Sequence, residues 1–336
     1  MSNIAIAHFP DEQLKKIAKE SFQNLMIATL EYFRFRKCVI VCENPTPLEK
    51  VKESGAVLFS GHQANWEVCF LDVTRRVRSV AVGRPLDNVR LYRWIVSLRE
   101  MYGGTIVEPE SALVRGMKEL KEGHCIGIVG DQAMPASSYS YPLFGARIWV
   151  TSAPALLSYK AKKPLIVVTT RRVGYRYYVS YSAPLYPDTT LSAKVAVPRL
   201  MDEAMALLEA AIRQAPGQWL WLHKCWKQEK VYHVPKEYRY DYILVITPQQ
   251  GNQQIDIAEK VRKLYPHAFL TVFFPEHMRG VDVLETSCLF YRSLDDILIR
   301  DWRFQLVFDF YGDCAITRHF LSFGAAAVVD SLPHRK

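Results

Sequence analysis

The residues best placed to do chemistry are His62 and Glu67, inside the run Gly-His-Gln-Ala-Asn-Trp-Glu at 61–67. The run follows four apolar residues, Ala56-Val57-Leu58-Phe59, so the motif stands where a buried strand should run out into a loop. A histidine there can act as general base toward a hydroxyl. A carboxylate one helical turn away can orient the imidazole and stabilise its protonated form. A pair of this kind suits acyl transfer to an alcohol.

Spacing alone does not settle the matter. The chain has nine histidines, and His277 and Asp282 repeat the interval. An isolated match reads equally well as a capping or core histidine. Context separates the two copies. A helix is expected from Glu67 to Arg76, with His62 in the turn before it. The later copy contains Gly280 among charged loop residues and reads as coincidence.

Other candidates each carry two readings. Asn65 is a helix cap or a hydrogen-bond donor to substrate. Arg84 follows a strand beside Pro85 and suits a phosphate or a developing oxyanion, or else a structural ion pair. Arg99 lies on an expected helix, as a binding or a surface residue. Asp131, in Gly-Asp-Gln, either holds such an arginine or shapes a turn. Trp219, Trp221 and Trp226, beside Lys224 and Lys227, read as an interfacial aromatic-basic edge or as core.

The elements that must position these residues alternate. A helix over 11–35 has apolar residues at helical spacing and Lys15, Lys16 and Lys19 opposite, packed on the domain or lying in an interface. Strands are expected at 38–42, 56–60, 79–82, 124–129, 164–170 and 176–181. Helices are expected at 88–101, 110–121, 151–161 and 197–214, and residues 133–147 read as a loop. This is an α/β pattern with the functional blocks at strand ends. A polar stretch at 228–239 marks a boundary between domains at 1–233 and 240–330. Beyond it come strand 242–247, helix 253–264, strand 268–274, a strand with its approach at 301–309 and helix 313–323.

Composition narrows the class. At 336 residues with 49% hydrophobic content the chain has room for two globular domains. No apolar run reaches the roughly 18 residues a membrane-spanning helix needs. Seven scattered cysteines include no zinc spacing and fit a reducing compartment. Net charge is +9, with seven arginines against one acid between residues 75 and 99. Such surfaces attract anionic lipid, phosphorylated glycolipid or an acidic carrier protein. No nucleic-acid motif accompanies the charge, so nucleic acid is set aside.

Several blocks in order carry a resemblance to the bacterial lipid A biosynthesis acyltransferases of the late lauroyl/myristoyl type. They are Ala7 to Pro10, Ser21 to Leu25, Gly61 to Glu67, Val82 to Asn88, Gly116 to Gly123, Gly130 to Gln132, Pro142 to Gly145, and Ala215 to Lys224 with Trp226-Lys227. The resemblance spans roughly residues 1–230. Cys225 departs from it, standing where the family usually has arginine. It implies a mixed sheet flanked by helices, of glycerolipid-acyltransferase type. It also implies transfer of an acyl chain from an acyl carrier protein thioester to a hydroxyl of an anionic lipid A precursor. His62 and Glu67 would then be catalytic, with Asn65, Arg84, Arg99 and Asp131 toward substrate. No cofactor, metal or covalent intermediate is needed, which leaves Cys69 and Cys125 as core residues. Family members begin with an apolar anchoring helix and none precedes residue 1 here, so the expected place is peripheral, on the cytoplasmic face of the inner membrane. Acylation of another phospho- or glycolipid, or non-catalytic glycolipid binding, is the alternative.

The later segment resembles the first half of a lipopolysaccharide heptosyltransferase through Ile243 to Ile246, Pro248, Gly251, Leu264 to Ala268 and Phe304 to Asp309. It implies a small Rossmann-like unit. Asn252 stands where that family has its proposed acidic base and cannot accept a proton, so no sugar transfer is expected.

Overall fold

The computed structural model describes residues 2–228 and 232–331. The chain forms two compact units, one of residues 15–225 and one in which residues up to 14 join those from 226 onward. Residues 229–231, within the stretch read as a boundary, lie outside the described residues. The division reassigns the first fourteen residues, which the sequence reading gave to the larger unit. In the smaller unit Ile4, Ile6 and Ala7 of and after helix α1 (Ser2–Ile6) are buried, and Ser2 Oγ donates to the Arg303 carbonyl at 3.1 Å.

The larger unit is built on a seven-stranded sheet. In chain order its strands are β1 (Val39–Cys42), β2 (Val57–Ser60), β3 (Ser79–Val82), β4 (Thr105–Val107), β5 (Cys125–Val129), β8 (Leu165–Val173) and β9 (Arg176–Tyr181), with the separate hairpin β6 (Ser140–Leu143) and β7 (Ala146–Trp149) between β5 and β8. The sheet order is β1-β9-β8-β2-β5-β3-β4, parallel at every pairing except β8 with β9. The helices are α2 (Asp11–Glu31), α3 (Thr46–Glu49), α4 (Glu67–Thr74), α5 (Val89–Arg99), α6 (Ala112–Lys121), α7 (Ala153–Ala161) and α8 (Ala193–Gln214).

Both faces of the sheet are covered, because successive strand residues point to opposite sides. Leu58, Cys125, Ile166 and Val168 join one core with Val68 and Leu71 of α4. Their neighbours Val57, Ile126 and Ile128 join another with Leu120 of α6 and Leu157 of α7. A buried leucine such as Leu58 contributes enough that truncation to alanine costs about 2–5 kcal/mol.

The hairpin β6–β7 lies within the stretch read as a loop. Its turn, Phe144-Gly145, has φ of 53° and 85°, a left-handed pair matched to the twist of a tight hairpin. Proline and serine diluted its alternation.

In the smaller unit five parallel strands follow the order β12-β11-β10-β13-β14, from β10 (Tyr242–Ile246), β11 (Phe269–Pro275), β12 (Thr286–Tyr291), β13 (Leu306–Asp309) and β14 (Ala327–Val329). Counted along the chain this is third, second, first, fourth, fifth, the order of a doubly wound sheet. Ile243 and Val245 pack to one face, Leu244 and Ile246 to the other. The molecule is thus α/β, with a parallel-dominated sheet flanked by helices and a second, wholly parallel sheet. The short strands β4, β12 and β14 escaped the sequence pattern.

Candidate active site

Strands β2, β5 and β3 lie side by side and parallel, so the loops after them open at one edge. His62 follows β2, Asp131 follows β5, and Arg84 follows β3. Because β2 and β5 are neighbours, His62 and Asp131 meet. His62 Nδ1 lies 2.5 Å from Asp131 Oδ1, and the His62 backbone N–H donates to Asp131 Oδ2 at 2.8 Å. Trp219 Nε1 donates to the same Oδ2 at 2.7 Å. Gly61 makes the approach feasible, since a Cβ there would stand 2.7 Å from Asp131 Oδ2.

This corrects the reading of the H-x4-E pair. Glu67 makes no hydrogen bond to His62. Its carboxylate takes Arg99 Nε at 2.7 Å and Nη2 at 2.5 Å, a two-pronged pair, and accepts the Tyr32 hydroxyl at 2.7 Å. The reason is local. Glu67 is the first residue of α4, which packs against α5, the helix that carries Arg99, and the Tyr32 hydroxyl reaches the same carboxylate. The residue that orients the imidazole is Asp131, expected to hold an arginine or shape a turn.

Three residues assigned to substrate are therefore occupied. Asp131 is 3% exposed and spent on His62 and Trp219. Arg99 is spent on Glu67. Asn65, 1% exposed, accepts from the Glu67 N–H at 3.3 Å and donates to Glu31 at 3.0 Å, which places it at the start of α4. Arg84 stands exposed at the same sheet edge as His62. His277 and Asp282, the second copy of the spacing, are exposed in the other unit and share no hydrogen bond.

Electrostatics follow from the geometry. Burial alone would lower the His62 pKa, but the Asp131 charge, its hydrogen bond and the charge of Glu67 outweigh it and hold the pKa above the ordinary 6.5. Burial would raise Asp131, and the His62 charge with hydrogen bonds from His62 and Trp219 pulls it below the ordinary 3.8. With Nδ1–H donated to Asp131, neutral His62 carries its lone pair on Nε2. Gln132 Nε2 stands 3.1 Å from that atom. The Trp66 ring packs edge-on to the imidazole at 4.8 Å.

The loop is held from behind by residues far away in sequence. Ala64 adopts φ 47°, strained for alanine, and is pinned by its N–H to Gln218 O at 2.6 Å and by Asn24 Nδ2 to its carbonyl at 2.9 Å. Gln63 bridges Trp219 in antiparallel fashion, and the Leu220 N–H donates to His62 O at 3.1 Å. His223 Nε2 accepts from the Ala133 N–H at 3.1 Å. Trp219, Trp221 and Trp226 are 1%, 4% and 2% exposed, so the aromatic-basic edge does not exist as an interface. These tryptophans are core, and Trp219 is the one that reaches the site.

The buried thiols are inert. Burial pushes Cys69 up to about 12 and Cys125 up to about 11, so neither is a thiolate near neutral pH. Among the described residues Glu119, Glu122 and His124 are close enough together to hold a metal. They lie just before β5, at the opposite end of that strand from Asp131. Glu119 is already paired with His124 at 2.7 Å and Arg115 at 2.8 Å.

The site is thus a buried carboxylate, a histidine it orients, and an Nε2 that carries the ring lone pair and faces the Gln132 amide, at the C-terminal edge of an α/β sheet; such an arrangement can accept a proton. The family model for the bacterial lipid A biosynthesis acyltransferase matches residues 3–228, and the chain belongs to that family. Both His62 and Asp131 fall within the match. The structure is also similar to that of the 1-acyl-sn-glycerophosphate (LPA) acyltransferase PlsC from Thermotoga maritima, with 10% identity and a TM-score of 0.35 over 61% of this chain and 85% of that one. That likeness is too weak to place any residue. No curated protein sequence matches. The family match ends at residue 228, so the heptosyltransferase resemblance of the later segment rests on its own residues.

Proposed function

We propose that the protein moves a fatty acyl chain from an acyl carrier protein thioester to a hydroxyl of an anionic lipid A precursor, at a membrane surface. The observation that supports this best is His62 with Nδ1 fixed on Asp131, which leaves the ring lone pair on Nε2, where the Gln132 amide now sits. The acceptor hydroxyl takes the place of the Gln132 amide at Nε2. As its oxygen attacks the thioester carbonyl, its proton passes to Nε2. The new ester forms, the carbon–sulfur bond breaks, and the leaving thiolate takes the proton back. Asp131 stabilises the imidazolium in between. Glu67 adds negative charge nearby while its main partners are Arg99 and Tyr32. Arg84, exposed at the same edge, suits an acidic headgroup phosphate.

Incubation with acyl carrier thioesters and tetra-acylated Kdo-lipid A, followed by product mass, tests the reading. One added acyl chain per acceptor is expected. Transfer only to a simpler phospholipid would move the substrate, and transfer only from acyl-CoA would change the donor. Binding of the glycolipid without turnover would favour a non-catalytic role.

A further inference from the structure

Helix α2 buries Leu14, Ile17 and Ala28 in the ordinary way, but its C-terminal half also carries large apolar residues on the outside. Its polar Ser21 and Asn24 are buried and bonded to the Trp219 and Ala64 carbonyls, the latter in the loop that carries His62. Its apolar Phe22, Met26 and Leu30 are 54%, 44% and 60% exposed, and Phe33 just beyond it is 79% exposed. Residues 22, 26 and 30 are successive turns of one face. The Phe33 ring lies 5.5 Å from the half-buried Trp94 of α5, and Leu91, one turn earlier, is 43% exposed. Single exposed apolar residues are ordinary, but a connected stripe of large ones marks an interaction surface.

Charge identifies the occupant. Arg34, Arg36 and Lys37 beside the stripe are exposed, as are Arg90 and Arg93 on α5. The single acid between residues 21 and 42 is Glu31, and it is bonded to Asn65 and Tyr177. A second copy laid on this face would bring like charges together. An anionic bilayer meets both needs, with acyl chains for the stripe and phosphates for the arginines.

We propose that the Phe22–Phe33 face is a membrane-insertion surface, seated at the headgroup boundary of an anionic bilayer. The buried side of the same helix holds the Ala64 and Trp219 loops, so insertion would set His62 at the depth where an amphiphile presents its hydroxyls. The inference rests only on the membrane-surface part of the proposed function, and its test needs neither donor nor acceptor.

The full chain is sedimented with phosphatidylglycerol-containing vesicles at about 0.1 M and about 0.5 M salt. The combined variant Phe22→Ser, Leu30→Gln, Phe33→Ser should lose roughly tenfold or more in partitioning at both salts while unfolding cooperatively, since only exposed groups change. The variant Arg34→Gln, Arg36→Gln, Arg93→Gln should lose binding mainly at low salt. Undiminished vesicle binding by the stripe variant overturns the inference, and salt-sensitive binding then leaves the membrane-surface reading standing. A change from dimer to monomer by light scattering, with vesicle binding intact, assigns the face to a second copy and also overturns it. No vesicle binding by the parent chain removes both readings.

Discussion

Asp131 Oδ1 stands 2.5 Å from His62 Nδ1, while its Oδ2 receives the His62 backbone N–H and the Trp219 indole. The carboxylate thus fixes both the ring and the backbone of the same histidine. If His62 is the base, Asp131 decides which nitrogen carries the proton.

Asp131→Asn should therefore cost more than a lost charge. The amide would keep the shape but offer an N–H to Nδ1, placing the proton on Nε2, where it cannot accept another. A fall of ~10²–10⁴ in kcat is expected with the fold retained. The acid limb of the pH–rate profile should lie above 6.5 in the parent, because His62 must be neutral and its pKa is raised. In the variant that limb should move down, and an unmoved limb would argue against Asp131 as the orienting group.

Glu67→Gln should act mainly on stability. It leaves His62 on Asp131 and strips the Arg99 guanidinium, 19% exposed, of its partner. Breaking such a largely buried pair costs about 3–5 kcal/mol. Thermal unfolding of Glu67→Gln, Arg99→Gln and the double variant should show coupling of roughly 0.5–3 kcal/mol. Activity below the melting range should exceed that of Asp131→Asn. Equal inactivity with an unchanged melting temperature would return Glu67 to the chemistry.

The sequence held more of the fold than of the site. The strand before His62, the strand before Asp131 and the helix from Glu67 were legible, because each is an apolar run or an amphipathic stretch ending at turn residues. The partner of His62 was not. Asp131 reaches it only because β5 pairs with β2, and strand order is a long-range property that spacing along the chain does not encode. Glu67 sits five positions from His62, yet the start of α4 turns it toward Arg99. Trp219 could have been singled out from its fixed place near Gly217, but its bond to Asp131 joins residues 88 positions apart. The helix over 11–35 stayed open between packing on the domain and lying in an interface, because helical spacing shows that apolar residues share a face, not whether that face is covered.

The pH dependence of stability follows from the same pair. Asp131 lies below its ordinary 3.8, so its contribution is complete above that value and fades as pH falls. His62 lies above 6.5, so its contribution is complete below that value and is lost as pH rises through its raised pKa. The melting temperature of the parent relative to Asp131→Asn should be highest between pH 3.8 and 6.5 and decline on both sides. A gap that widened steadily to high pH would contradict the pairing. Activity should peak on the alkaline side of this window.

Deleting the chain after Lys236 tests the smaller unit. It would leave Ile4, Ile6 and Ala7 without most of the unit in which they are buried. Reduced solubility and greater binding of an apolar dye are expected, with acyl transfer retained by the larger unit. Loss of transfer in a truncated protein that still unfolds cooperatively would make the segment part of the acceptor site. The full chain should transfer no sugar from an ADP-heptose donor, because Asn252 offers no base.

The most direct measurement is the single-turnover rate of acyl transfer in the parent, His62→Ala and His277→Ala, each at the pH optimum of the parent. The rate should fall by ~10²–10⁴ or more in His62→Ala and stay near the parent value in His277→Ala. A His62→Ala protein that transfers at the parent rate, or a His277→Ala protein that does not transfer at all, would contradict the assignment of the base.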